Sequence, residues 1–197
     1  MSTGTPSTIL IEHVVVTASK DYKTGEKFSP VFSFLPISRQ ITKMLQCALM
    51  ETFVVKDVGE LEAVAKRVLA VLDERKREDG SAVLALHGDL GAGKTTFMQI
   101  LARMLEVEEV VVSPTFVVMK HYELPEEQHG FTALYHLDAY RIETVDEMRP
   151  LRFAELLTEP KALIAIEWAE RIAELLPTDT IDLTFTISGE TRTITLT

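Results

Sequence analysis

After Met50 two spacings of apolar residues alternate along the chain, and between them they lay out most of a fold. Leu61, Val64, Ala65, Val68 and Leu72 recur at three and four residues and mark one face of a helix. Asp57 stands where its N-cap belongs, Glu60 three residues on completes a capping box, and Gly80 supplies a stop. Ser81–Leu86 (SAVLAL) is a continuous apolar run, the pattern of a strand covered on both faces. Thr96–Leu105 returns to an apolar-rich helix. Val110–Val112 predicts a further strand. Pro114 just beyond it holds Ser113 out of the α region, so a short stiff connector follows. Thr132–Leu137 and Ala162–Ile166 read as two more strands. Ile181, Leu183, Phe185 and Ile187, then Ile194 and Leu196, alternate on either side of Ser188-Gly189-Glu190-Thr191 and predict a β-hairpin with one apolar face. Apolar strands separated by helices predict an α/β domain with a mostly parallel sheet flanked by helices and a C-terminal β-hairpin.

Before Met50 the pattern is different. ILIEHVVVTA (9–18) and FSPVFSFLPI (28–37) can form short strands, but no helical period runs through the segment, and two strands do not build a core. Charge divides at the same place. Residues 1–49 carry five Lys/Arg and three Asp/Glu, net +2, whereas residues 50–197 carry 15 and 27, net −12. The expectation is an N-terminal extension over 1–49, outside the core domain, and one compact domain over 50–197. An upstream choice of start codon would also produce such an appendage.

Composition narrows the function. The 197 residues are 46% hydrophobic and 25% charged, enough for one sizeable core. A net charge of −10 argues against gripping nucleic acid by broad electrostatic attraction. The basic residues of Glu74–Arg77 belong to the end of a solvated helix. No apolar run approaches the roughly 20 residues of a membrane span. The N-terminus has neither a basic n-region nor a long apolar stretch, which argues against a secretory signal. One cysteine, Cys47, permits neither an intramolecular disulfide nor a CxxC metal site, and a reducing cytoplasm is the expected location.

The chemistry starts at HGDLGAGKTT, residues 87–96. Gly88-Asp89-Leu90-Gly91-Ala92-Gly93-Lys94-Thr95 fits G-x-x-x-x-G-K-[ST] between a predicted strand and a predicted helix, the setting of a P-loop. Glycines let backbone N–H groups turn toward phosphate oxygens, and the helix start reached at Thr96 adds partial positive charge. Lys94 reaches the β- and γ-phosphates and the Thr95 hydroxyl can ligate Mg²⁺. No N-K-x-D or T-K-x-D guanine-reading motif follows, so ATP is favoured over GTP.

A nucleotide-hydrolysing site also needs an acid for the metal and a group that aims the nucleophile. Glu167 ends the apolar run Ala162–Ile166, a Walker-B arrangement with Glu in place of Asp; the alternative is that it caps a helix over Ala169–Leu176. Asp138 ends the other strand and can orient water or hold a metal-bound water; the alternative is a helix cap or an ion pair with Arg141. Ser113 and Thr115 can contact the metal or γ-phosphate and report nucleotide state; the alternative is an ordinary loop. His87, His121, His129 and His136 lack metal-ligand spacing and are expected only to pack or face solvent. Glu106–Glu109 and Pro125–Gln128 read as exposed loops.

GDLGAGKTTF, then SPTF, then His136-x-Asp138-x-Tyr140-Arg141, then Ile166-Glu167-Trp168 occur in this order, and over about residues 50–197 the chain resembles the TsaE (YjeE) family. The resemblance implies a small P-loop ATPase needed for bacterial threonylcarbamoyladenosine in tRNA. It implies partnership with TsaB and TsaD, TsaD transferring the threonylcarbamoyl group and the ATPase acting on that complex, with tRNA engaged only indirectly. By motif, Lys94 and Thr95 bind phosphate and Mg²⁺, Asp138 is the essential acid, Glu167 is the metal ligand and Trp168 lies beside the site as a nucleotide sensor. Ala139 replaces a common Leu and Ala169 a common Pro, which touches loop geometry only. Two other readings remain at this point: a small-molecule kinase with Asp138 as base, and a nucleotide-gated binding module working through Ser113–Phe116.

Overall fold

The computed structural model describes residues 8–11, 14–17, 50–75 and 80–197. The chain divides into two units, Met1–Ala48 and Leu49–Thr197. In the first, β1 (Thr8–Ile11) and β2 (Val14–Thr17) pair antiparallel, as ILIEHVVVTA suggested. The strand expected over 28–37 lies outside the described residues.

The second unit is a seven-stranded mixed sheet with helices against it. Its elements are β3 (Glu51–Val55), α1 (Val58–Arg75), β4 (Ala82–Gly88), α2 (Lys94–Met104), β5 (Met119–Gln128), β6 (Phe131–Asp138), α3 (Phe153–Leu156), β7 (Ala162–Glu167), β8 (Ile181–Ser188) and β9 (Thr191–Leu196). Strand order is β3-β9-β8-β4-β7-β6-β5. The middle four, β8, β4, β7 and β6, run parallel, and antiparallel neighbours close both sides. β7 reads ALIAIE and is buried at every position, the signature of a parallel strand covered on both faces.

Local signals act as their chemistry dictates. Asp57 Oδ1 accepts the Glu60 N–H at 2.9 Å, while the Glu60 carboxylate reaches back to the Lys56 N–H at 2.6 Å, one residue beyond a standard capping box. The helix is described to Arg75, and residues 76–79 before Gly80 lie outside the described residues. Leu61, Val64, Ala65, Val68 and Leu72 are all buried, and Phe97 of α2 meets Phe185 of β8 edge to face, ring centres 5.7 Å apart.

Two expectations are corrected. Val110–Val112 is not a strand: only Val111 is buried, and Val110 is 81% exposed. Pro125–Gln128 is not a loop but the far end of β5, an edge strand beyond a register shift that follows Glu123. An edge strand interrupted by a register shift is where proline is tolerated.

Register decides where the chemistry lies. On the sheet face covered by α1 and α2, β6 presents Leu134, His136 and Asp138, and β7 presents Leu163, Ala165 and Glu167. The pairs Leu134–Leu163, His136–Ala165 and Asp138–Glu167 are directly opposite. β4 brings Leu84 and Leu86 to the same face, with Leu86 opposite Glu167, and ends two residues on at Gly88. The other face packs Val83, Ala85, Ile164 and Ile166 against Met148, Phe153 and Ile172.

Candidate active site

Gly88 to Thr96 joins the end of β4 to α2. Gly88, Gly91 and Gly93 have φ of 126°, 78° and 107°, in a region that disfavours side chains. Gly88 has a second constraint, since a Cβ there would sit 2.3 Å from the Phe185 carbonyl oxygen on β8. A left-handed Gly93 leads into α2, so the first N–H groups of an eleven-residue helix face the loop's concavity.

Lys94 is buried and folds back over its own loop. Its Nζ donates to the Gly88 carbonyl at 2.5 Å and the Asp89 carbonyl at 2.9 Å, and it lies 4.0 Å from the centre of the Trp168 ring. Burial pulls the ammonium below the usual lysine range, against the opposing pull of Glu167, Glu170, Asp138 and Asp89. Those carbonyls and the indole face hold the charge where phosphate oxygens would otherwise receive it.

Two carboxylates stand opposite each other on β6 and β7, both buried. Like charges in that position repel, so each needs donors of its own. Glu167 Oε2 accepts the Thr95 hydroxyl at 2.8 Å, and Glu167 Oε1 accepts His136 Nε2–H at 2.9 Å. Asp138 Oδ2 accepts the hydroxyls of Ser113 and, at 2.6 Å, Thr115; its Oδ1 accepts the Tyr140 N–H at 3.0 Å. The expected residues Lys94, Thr95, Ser113, Thr115, Asp138, Glu167 and Trp168 line one cleft together with Leu90, Gly91, Gly93 and Thr96. Asp89 contributes its carbonyl to Lys94, and Ala92 is buried beneath the loop.

The alternatives separate on geometry. Glu167 caps nothing: Ala169–Leu175 is a 3₁₀ segment kinked at Ile172, with no side-chain cap. Asp138 makes no ion pair with Arg141, whose guanidinium instead sits 4.5 Å from the Phe116 ring centre; the cap-like contact it does make is the one to the Tyr140 N–H. Trp168 adopts φ 59°, a left-handed turn at the strand end that swings the indole back over Lys94 and beside Tyr140. Ala139 and Ala169 are both buried, and Ala139 N–H donates to the Glu167 carbonyl.

One residue of the site escaped the sequence reading. His136 is wholly buried against Glu167. The signal was there: two residues before Asp138 on a strand means the same face. His87 is also bonded, to Asp182 at 2.6 Å and Glu170 at 3.2 Å, on the opposite face. His121 is exposed and stacks on Tyr135, and His129 is exposed.

The donor set suits a small hard cation. A hydroxyl and a carboxylate oxygen 2.8 Å apart, beside the glycine-rich loop, match how Mg²⁺ is held where one or two protein oxygens combine with substrate phosphates and water. Among the described residues no group of three or more His, Cys, Asp or Glu forms an all-protein metal cage. No helix among them is long and apolar enough to cross a membrane.

A family model described as threonylcarbamoyl adenosine biosynthesis protein TsaE matches residues 55–194. The tRNA threonylcarbamoyladenosine biosynthesis protein TsaE of Bacillus subtilis is 40% identical over 116 residues, 58% of this chain and 68% of that protein. The protein of the same name from Synechocystis is 39% identical over 95 residues, 47% of this chain and 57% of its own length. That of Treponema pallidum is 35% identical over 116 residues, 59% of this chain and 80% of its own. The crystal structure of Bacillus subtilis YdiB superposes with a TM-score of 0.54 at 29% identity, over 75% of this chain and 84% of that one.

Proposed function

The chain belongs to the TsaE family, and from that premise we propose that it binds and hydrolyses Mg-ATP and acts in the cytoplasm on a TsaB–TsaD complex during threonylcarbamoyladenosine modification of tRNA. One observation carries the reading: a buried strand-end carboxylate, Glu167, is hydrogen-bonded to the P-loop hydroxyl of Thr95. Neither a glycine-rich turn nor a structural ion pair requires that juxtaposition.

The roles follow from position. Residues 88–96 hold the phosphates through backbone N–H groups and the start of α2. Lys94 exchanges its two loop carbonyls for β- and γ-phosphate oxygens. Thr95 and Glu167 would hold Mg²⁺, which when bound supplies positive charge against the phosphates as the leaving group departs. Asp138 aims the attacking water from the neighbouring strand end, and Ser113 and Thr115 set its orientation. The nucleoside end has a place to go: a second cleft shares Gly91, Gly93 and Thr96 with the first and continues past Val55, Leu61 and Ile194.

Partner dependence is supported by the surface around the mouth. Leu90, Val110, Phe116 and Val117 are 78%, 81%, 85% and 61% exposed, in the loops that carry or adjoin the phosphate site and the Asp138 clamp. Large apolar side chains left exposed on these two loops suit a protein partner. An arginine supplied by the partner, or Arg141 turned inward by it, would raise hydrolysis by about 10³–10⁵-fold.

Phosphate release by the protein alone and with purified TsaB and TsaD tests this. The reading predicts slow release alone, stimulation by the pair, and loss of both in Lys94→Ala and Glu167→Ala. Nucleotide binding with no release in either condition would leave a nucleotide-gated binding module. No binding of ATP at all would overturn the reading.

A further inference from the structure

His136 is a buried polar side chain of the site to which neither the motif chemistry nor the phosphate loop gives a task. It lies on β6 opposite Ala165, whose small side chain leaves room for an imidazole to lean along the diagonal toward Glu167 on β7. Its Nε2 is 2.9 Å from Glu167 Oε1; the His136 and Glu167 side chains are 0% and 3% exposed. Its Nδ1 meets no hydrogen-bond partner among the described residues. A carboxylate oxygen accepts, so Nε2 carries the hydrogen that reaches Glu167 Oε1.

The two oxygens of Glu167 are thereby given different neighbours. Oε1 faces His136, inward along the sheet, and Oε2 faces Thr95 and the phosphate loop. Without a donor at Oε1 the carboxylate would carry a buried unsatisfied oxygen opposite the Asp138 carboxylate, and its two oxygens could exchange places by rotation. We propose that His136 is a positioning residue that pins Glu167 through Oε1 and so keeps Oε2 aimed at the Thr95 hydroxyl, setting the affinity of the Thr95–Glu167 pair for the divalent cation that accompanies ATP. The proposal rests on the assignment of Glu167 as the metal-facing carboxylate. Partners behind a ligating side chain commonly change metal affinity by about 10–100-fold when removed, without touching the metal themselves.

The geometry separates a donor from a filler. A glutamine amide reaches as far as an imidazole Nε2 and can donate to Oε1. A leucine fills similar space but donates nothing, and an asparagine amide ends short. Trp168, the sole tryptophan, lies next to Glu167 and gives a readout of the site other than turnover. The experiment is a Mg²⁺ titration of Trp168 fluorescence with ATP present, beside ATP binding in EDTA, in the wild-type chain and in His136→Leu, His136→Asn and His136→Gln.

The expected result is metal-free ATP binding within about twofold in all four proteins. The Mg²⁺ midpoint should rise about 10–100-fold in His136→Leu and His136→Asn and return to within about threefold of wild type in His136→Gln. An unchanged midpoint in His136→Leu, or glutamine no better than leucine in folded protein, would overturn the proposal. A wild-type protein whose fluorescence responds to neither ATP nor Mg²⁺ would overturn the site assignment and this proposal together. Should the leucine variant fail to fold, ¹⁵N spectra of histidine-labelled wild type decide instead. An Nε2–H form for His136, its proton shifted in Glu167→Gln, supports the proposal; an Nδ1–H form contradicts it.

Discussion

The middle and the margins of the same sheet are built from different sequences and do different work. β7 is buried at all six positions, whereas β3 reads intermediate, exposed, intermediate, exposed, buried, and β9 buries only Ile194 and Leu196 of its six residues. The middle strands are parallel, so their carboxyl ends gather at one edge, and Gly88, Asp138 and Glu167 arrive there together. At the margins, antiparallel neighbours send successive ends to opposite edges, and no reactive groups converge. Direction, more than composition, makes one part of the sheet a site and the other a support.

The comparison breaks first on stability. Ile164→Ala in β7, at a fully buried position, should cost about 2–5 kcal/mol in urea unfolding. Thr52→Ala, on an exposed position of β3, should stay within about 0.5 kcal/mol. Similar losses at both would mean that middle and margin do not differ in the way burial implies.

Chemistry gives the next largest effect. Lys94→Ala should lower phosphate release by about 10²–10³-fold, the scale for deleting one charge-stabilising group. A smaller change than that of any marginal substitution would place the reaction elsewhere. Removing both hydroxyls that hold Asp138, in Ser113→Ala with Thr115→Ala, should lower hydrolysis about tenfold or more while leaving ATP affinity within about twofold, because hydrogen bonds to a charged group contribute about 1.5–3 kcal/mol each. Weakened binding with unchanged turnover would give the pair to the nucleotide and not to Asp138.

The smallest effect is a pH dependence where the middle meets the margin. The Asp182 carboxylate holds the His87 pKa above its ordinary value, with help from Glu170 and against the cost of burial. A raised folded value means that the contribution is complete below the unfolded pKa of about 6.5 and disappears as pH rises through the folded one. His87→Gln should therefore cost more stability at pH 6 than at pH 9, by up to about 1 kcal/mol, in paired urea melts. A difference that grows toward pH 9 would have the wrong sign.

What the sequence reveals follows the same division. The middle of the sheet is legible because a buried parallel strand must be apolar throughout, as SAVLAL and ALIAI are, and because the glycines of residues 88–93 mark the turn from β4 into α2. The errors sit at the margins. Val110–Val112 has the β-branched residues of a strand, but that preference expresses fit to a neighbouring pleat, and β5 occupies the edge instead. β5 in turn reads as polar, since only Tyr122 and Leu124 among its ten residues are buried. His136 was missed for a different reason. Its partner lies 31 residues away on another strand, and only the register that places Ala165 opposite it shows where the imidazole goes.

The central claim is that β7 and the start of α2 deliver Glu167 and Thr95 to a nucleotide's metal. The direct measurement is a crystal structure with Mn²⁺ and a non-hydrolysable ATP analogue, the ion located by its anomalous signal. The account predicts the ion bound by Thr95 Oγ1, with Glu167 Oε2 coordinating it directly or through one water and Lys94 moved from the Gly88 and Asp89 carbonyls to phosphate oxygens. An ion bound away from Thr95 and Glu167, or a triphosphate seated with Lys94 still on those carbonyls, would contradict it.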